Sequence, residues 1–315
     1  MKFISSLFAL LSFCTFYAQT IDSIASIAKK DTTYWVQQKA IGLDISQIAF
    51  LNWNAGGNSS ISGLLKGDFS KKYTRGNVLW NNEMSIRYGI NKQEERELRK
   101  TDDALSLLSN YGYKTSPNSN WYNTARFNFN TQFTNGYAYP NTETAISRLF
   151  APAYIFLGIG SEYVRKDWDA TFYLSPLTLK TTFVLDQRLA DLGSFGVDKA
   201  IFDEEGRLLR RGRKTRTELG ILFNNYWKKE IYKNMIVENR LSLYTDYLNN
   251  FGNIDVDWQM QLNMVVNQYV RANIGLHLIY DDDIKAKEEI DGEQVTVGPK
   301  LQLKQALGIG VIYTF

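Results

Sequence analysis

Charged side chains of both signs recur on one side of alternating stretches of this chain. They are the residues best placed to do chemistry. Asp44, Lys66, Asp68, Glu83, Arg87, Arg126, Glu162, Lys180, Arg216, Glu218, Glu238, Arg240, Asp255, Asp257, Arg271, His277 and Lys304 all take such positions. Ten of them are the candidates for lining a lumen: Glu83, Arg87, Arg126, Glu162, Lys180, Glu218, Glu238, Arg240, His277 and Lys304. A set of this kind can form a polar channel or a binding site for a polar solute. It can equally pair internally and fill a narrow space with salt bridges. The mixture of signs argues against strong selectivity for anions or cations.

Other constellations are thinner. His277 is the single histidine. A histidine could act as general base for a serine nucleophile. But Leu276 and Leu278 take the apolar side of its stretch, so His277 takes the polar side, and no Gly-x-Ser-x-Gly elbow is present. Asp281, Asp282 and Asp283 could hold Ca²⁺ or form a solvated acidic rim, and no EF-hand spacing supports the first. The basic run Arg207, Arg210, Arg211, Arg213, Lys214 and Arg216 could grip lipopolysaccharide phosphates or be a solvated loop. Glu94, Glu95, Arg96 and Glu97, with Arg99 and Lys100, read as a charged outer loop. No nucleotide-binding glycine loop, zinc motif or heptad is apparent, so no cofactor is expected, and nothing points to an enzyme. The net charge of +3 gives no sign of a nucleic-acid partner.

The elements that must position these residues follow from period-two alternation. From 254, Ile254, Val256, Trp258, Met260, Leu262, Met264 and Val266 alternate with Asp255, Asp257, Gln259, Gln261, Asn263, Val265 and Asn267. Similar runs surround Val78, Phe127 and Val311. They match the roughly 9–11 residues of a transmembrane strand better than the 5–6 of a globular one. Strands are expected at 40–53, 60–71, 77–90, 104–113, 121–135, 150–165, 168–183, 214–227, 232–247, 254–267, 270–281 and 300–315. Pro176 predicts a bulge or edge irregularity in the seventh. The sixth, rich in Ala, Gly and Ile, leaves its facing open.

Connections after even strands are short, and those after odd strands are mostly longer and polar: 54–59, 91–103, 136–149, 184–213, 248–253 and 282–299. This is the layout of an outer-membrane barrel, with short periplasmic turns and long outer loops. The fold class is therefore an all-β, antiparallel up-and-down transmembrane barrel of about twelve strands. Trp53, Trp80, Trp121, Trp168, Trp227, Trp258, Tyr88, Tyr163, Tyr247, Tyr280 and Tyr313 fall near strand ends, where interfacial girdles belong.

The N-terminus points to the same compartment. Lys2 followed by a mostly apolar Ile4 to Tyr17, with a small Ala18, reads as a signal peptide over 1–18. Cys14 raises lipoprotein processing as an alternative, but Phe13 fits a lipobox poorly. Cleavage would remove the only Cys. Residues 19–39 would be a periplasmic segment or plug, with a short helix over Asp22 to Lys30, and 40–315 the barrel. The final Phe315, on an amphipathic strand, resembles the signal read by the bacterial barrel-assembly machinery.

The segment Gln47 to Gly63, QIAFLNWNAGGNSSISG, carries an Asn52-Trp53-x-Ala55-Gly56-Gly57 turn. It resembles the opening of a family of predicted outer-membrane proteins from Bacteroidota, catalogued as a domain of unknown function. The resemblance runs from about Trp35 to Phe315. It implies a barrel in the outer membrane of a Gram-negative bacterium and brings no activity. The expected partners are outer-membrane lipids and lipopolysaccharide, the assembly machinery through Phe315, and a small polar solute. A narrow channel, a filled-lumen structural protein and a lipid hydrolase remain as functional readings.

Overall fold

The computed structural model describes residues 34–49, 58–249, 251–290 and 293–315. The expected signal peptide, the helix over Asp22 to Lys30 and the Asn52 to Gly57 turn with Trp53 lie outside the described residues.

Twelve antiparallel strands close into a barrel. They are β1 (Trp35–Ile48), β2 (Ser60–Arg75), β3 (Val78–Gln93), β4 (Arg99–Tyr113), β5 (Trp121–Thr131), β6 (Ala153–Arg165), β7 (Ala170–Phe183), β8 (Thr215–Tyr232), β9 (Met235–Asp246), β10 (Asp255–Val265), β11 (Val270–Tyr280) and β12 (Gln302–Thr314). Each pairs with its chain neighbour, and β12 returns to β1. The first hairpin pairs from Trp35 to Ile48, whereas the closing seam with β12 pairs only from Ala40 to Ile45. Closure satisfies the backbone groups that an open edge would leave unpaired.

All twelve expected strands are present, and the differences lie at their ends. The first begins at Trp35 rather than 40, and the second runs to Arg75 rather than 71. Alternation does not reveal these ends, because Gln37, Lys39 and Lys71 stand on the outward face there. The fourth begins at Arg99, so Asp102 and Asp103 belong to a strand and not to the expected loop. The turn expected at Lys228 to Ile231 lies instead at Lys233 and Asn234, where Asn234 takes φ 63°. Asn tolerates this left-handed conformation better than most side chains.

Pro176 does mark a bulge. The β6 register slips between Ile159 and Ser161, and the β8 register between Gly220 and Leu222. Two residues of β7 oppose Gly160, and a Cβ there would collide with the Leu174 carbonyl oxygen. The bulge switches the inward set of β7 from odd to even numbers.

The outward face is apolar over the middle of the strands: Ile41, Leu43, Leu65, Ile86, Leu157, Ile159, Leu174, Leu177, Ile274, Leu307 and Ile309 are exposed. Aromatic rings cluster toward both ends. Trp35 packs 5.1 Å from Tyr73 and 5.5 Å from Trp80, and Trp121 lies 5.1 Å from Tyr163, all at the short-turn end. Tyr88 with Phe133 (5.9 Å) and Tyr247 with Phe251 (5.6 Å) mark the long-loop end.

The long connections after β5 and β7 carry structure of their own. The one after β7 contains helix α1 (Gln187–Asp191) and a ribbon pairing Ile201–Phe202 with Leu208–Arg210. Ala151, Val184, Leu189, Ala190 and Val197 form a small buried core shared by the loops after β5 and β7, with Phe195 against it. Asp186 caps α1 through the Leu189 N–H and pairs with Arg148 at 3.0 Å. Asp103 accepts from the Phe133 and Thr134 backbone N–H groups and the Thr134 hydroxyl, tying the loop after β5 to the barrel wall.

Candidate functional site

A side-chain contact that spans two or more intervening strands of the ring can only be made through its interior. Three polar contacts of this kind define the lumen. Lys304 of β12 reaches Asp102 of β4 at 2.8 Å. Arg126 of β5 donates to Asn224 of β8 at 3.1 Å. Lys180 of β7 reaches Asp255 of β10 at 2.8 Å. Together they fix the even-numbered face of β5, β8 and β12, and the Lys180 face of β7, as inward.

The interior divides into two halves. On the β5–β8 side the groups are packed solid. Arg126 bonds Glu162 at 2.8 Å and Asn110 at 3.0 Å, and its guanidinium lies 3.9 Å from the Tyr173 ring centre. Lys180 also lies 3.6 Å from Glu218 and 5.0 Å from the Tyr244 ring centre. Tyr173, Leu222 and Tyr244 form a buried cluster with Phe156 beside it. Side-chain exposure is 12% for Arg126, 4% for Glu162, 6% for Lys180 and 3% for Glu218. On the other side, Arg240 pairs with Glu238 (2.7 Å), His277 with Asp257 (2.9 Å), and Asp102 takes both Lys304 and, at 3.9 Å, Arg87. There Arg240 is 52% exposed, Asp257 49% and Lys304 47%. Water therefore reaches the second half and is largely excluded from the first.

All ten candidate residues stand on inward positions. Arg126 meets Glu162, Lys180 meets Glu218, Glu238 meets Arg240, and Arg87 and Lys304 share Asp102. Glu83 accepts from Asn81 instead, and His277 faces Asp257 and Gln259 rather than another candidate. Sequence reasoning did not single out Asn110, Asn224, Asp102, Tyr173 or Tyr244. Strand parity could have found the two asparagines.

The mouth groups are largely committed to the protein. Asp283 pairs with Arg216 at 2.7 Å, and Asp282 accepts from Asn253 at 2.6 Å. Burial raises the Asp281 carboxyl above its ordinary range. Among the described residues no three His, Cys, Asp or Glu side chains converge to hold a metal ion. In the basic run, Arg207 pairs with Asp203 and Glu205, Arg211 with Asp191, and Arg213 with Asp198. Donation from Gln187, then from the Gly212 backbone, holds Asp191 below the usual carboxylate range.

The molecule is thus a closed, twelve-stranded antiparallel barrel with an ion-paired polar interior. A family model described as a protein of unknown function (DUF3078) matches residues 45–137. No curated protein matches. Among solved structures, the chain is similar to the translocator domain of autotransporter NalP from Neisseria meningitidis (10% identity, 91% of this chain and 90% of that chain, TM-score 0.37). It is also similar to the COG4313 outer membrane channel from Pseudomonas putida F1 (10%, 89% and 95%, 0.40) and to the NanC porin (11%, 87% and 98%, 0.37). These are likenesses of fold alone.

Proposed function

We propose that this protein sits in the outer membrane of a Gram-negative bacterium and carries a narrow, off-axis passage for small polar solutes. The membrane reading is supported by the closed sheet, the exposed apolar middle and the aromatic rings at both ends. The passage reading is carried by one observation: Lys304, Arg240 and Asp257 face the lumen yet remain about half exposed. The half-lumen around Arg126 and Lys180 acts as a fixed wall. Its neighbour, with balanced charges and His277, would accept hydrated polar solutes with little preference for sign. In this reading the surroundings are phospholipid and lipopolysaccharide, Phe315 serves the assembly machinery, and the protein is not an enzyme.

Reconstituted in planar bilayers, the wild type should show stable conductance steps. Replacing both Lys304 and Asp102 by alanine removes a bridge that crosses the lumen, and should raise unit conductance roughly twofold. Arg87→Ala should alter it less. Absence of conductance in the wild type, with no solute uptake into liposomes, would overturn the passage. A second reading, a structural envelope protein with a filled lumen, is favoured by the buried Arg126–Glu162 and Lys180–Glu218 pairs. It predicts that changes in the loop over 184–213 impair a partner interaction while lumen changes do little.

A further inference from the structure

The outward face departs from the usual order at one place. Near the short-turn end, directly paired residues share a face, and three rows run across β1 to β4. The outermost row is Trp35, Tyr73, Trp80 and Tyr111. Two residues further in lies Gln37, Lys71, Asn82 and Ser109. Beyond that comes Lys39, Phe69, Met84 and Leu107. In a barrel wall, aromatic girdles separate the apolar band from water. Here a polar row containing Lys71, with Lys39 one row further in, stands on the apolar side of the aromatic row.

The same place is concave. A groove of about 440 Å³ opens outward, with Lys39, Lys71 and Asn82 on its polar side and Phe69, Met84 and Phe127 among its apolar walls. The polar groups are held in position. The Lys71 ammonium lies 4.8 Å from the Trp35 ring centre, and that of Lys39 5.6 Å from Phe315. The Trp80 indole donates to Ser109, and the Ser109 hydroxyl donates to the Asn82 amide oxygen. That leaves the Asn82 amide N–H groups as donors for a ligand.

We infer that this groove binds one anionic phospholipid from the membrane leaflet at the short-turn end. Lys39, Lys71 and Asn82 would take the phosphate-bearing headgroup through charge-assisted hydrogen bonds. An acyl chain would lie along Phe69, Met84 and Phe127. Two ammonium groups against a single phosphate favour a net negative headgroup over a zwitterionic one. Free phosphate offers the same headgroup chemistry but nothing to occupy the apolar walls.

The inference rests on the membrane reading. Co-flotation of the full-length chain with lipid vesicles tests that reading separately, and heat-modifiable migration in detergent reports that the barrel is folded. Native mass spectrometry with dioleoyl-phosphatidylglycerol, dioleoyl-phosphatidylcholine and inorganic phosphate then tests the groove. The wild type should retain one phosphatidylglycerol, bound about tenfold more tightly than phosphatidylcholine, and no phosphate. Lys39→Gln with Lys71→Gln should abolish that preference while the barrel still migrates as folded. Met84→Trp keeps both lysines and fills the groove, and should weaken both lipids. Unchanged preference in the double variant overturns the headgroup assignment. Unchanged retention with Met84→Trp overturns the location. Phosphate binding as tight as the lipid's overturns a lipid in favour of a plain anion.

Discussion

Glu162→Leu should cost the barrel about 3–5 kcal/mol of unfolding free energy, because it leaves the Arg126 guanidinium buried without its counter-charge. Arg126 is held at 2.8 Å by Glu162, and the two side chains are only 12% and 4% exposed. Asn110 and Asn224 would still accept from the guanidinium, but neither carries charge. Removing the pair together is a different matter. A buried ion pair replaced by apolar groups of similar volume is often neutral in cost. Arg126→Met with Glu162→Leu should therefore recover most of what the single change loses. Urea titration of the barrel in lipid vesicles, followed by tryptophan fluorescence, measures both. A double variant as unstable as the single one would show that packing around Tyr173, and not unpaired charge, sets the cost.

The second large effect separates the two faces of the wall. Ile159→Arg places a cation at mid-strand on the outward face of β6, where Ile159 is 64% exposed. A cation facing acyl chains near the midplane costs about 2–4 kcal/mol. Gln261→Arg puts the same group on the inward face of β10, in the half of the interior that water reaches. It should stay within about 0.5 kcal/mol of the wild type. Equal costs for the two would mean that the outward face is not in lipid.

The sequence carried the strand count because alternation persists wherever one face is apolar and the other is not. It failed where that contrast vanishes. Gln37, Lys39 and Lys71 are outward and polar, so the ends of β1 and β2 carry no alternation to read. Asn234 hides a turn inside a run that looks like strand. Tyr173 shows a subtler loss. Counting back from Lys180 by twos places it outward, yet it is buried in the lumen, because the Ser175–Pro176 bulge shifts the parity between them. The proline announces the bulge but not which side chains it redirects. The pairs that define the interior were less legible still. Lys304 and Asp102 are 202 positions apart, and no local pattern links them. Their meeting depends on the ring closing, so it becomes visible only once every strand is placed. Asp102 itself was hidden in what reads as loop.

The short join between β1 and β12 gives the ring a line of least resistance. Every other pair of staves is fastened over a longer run, so in a bilayer, as proposed above, hoop tension from stretching or thinning would concentrate on the few bonds between Ala40 and Ile45. A cylinder fastened this unevenly would part at one place first, and sideways, toward the lipid.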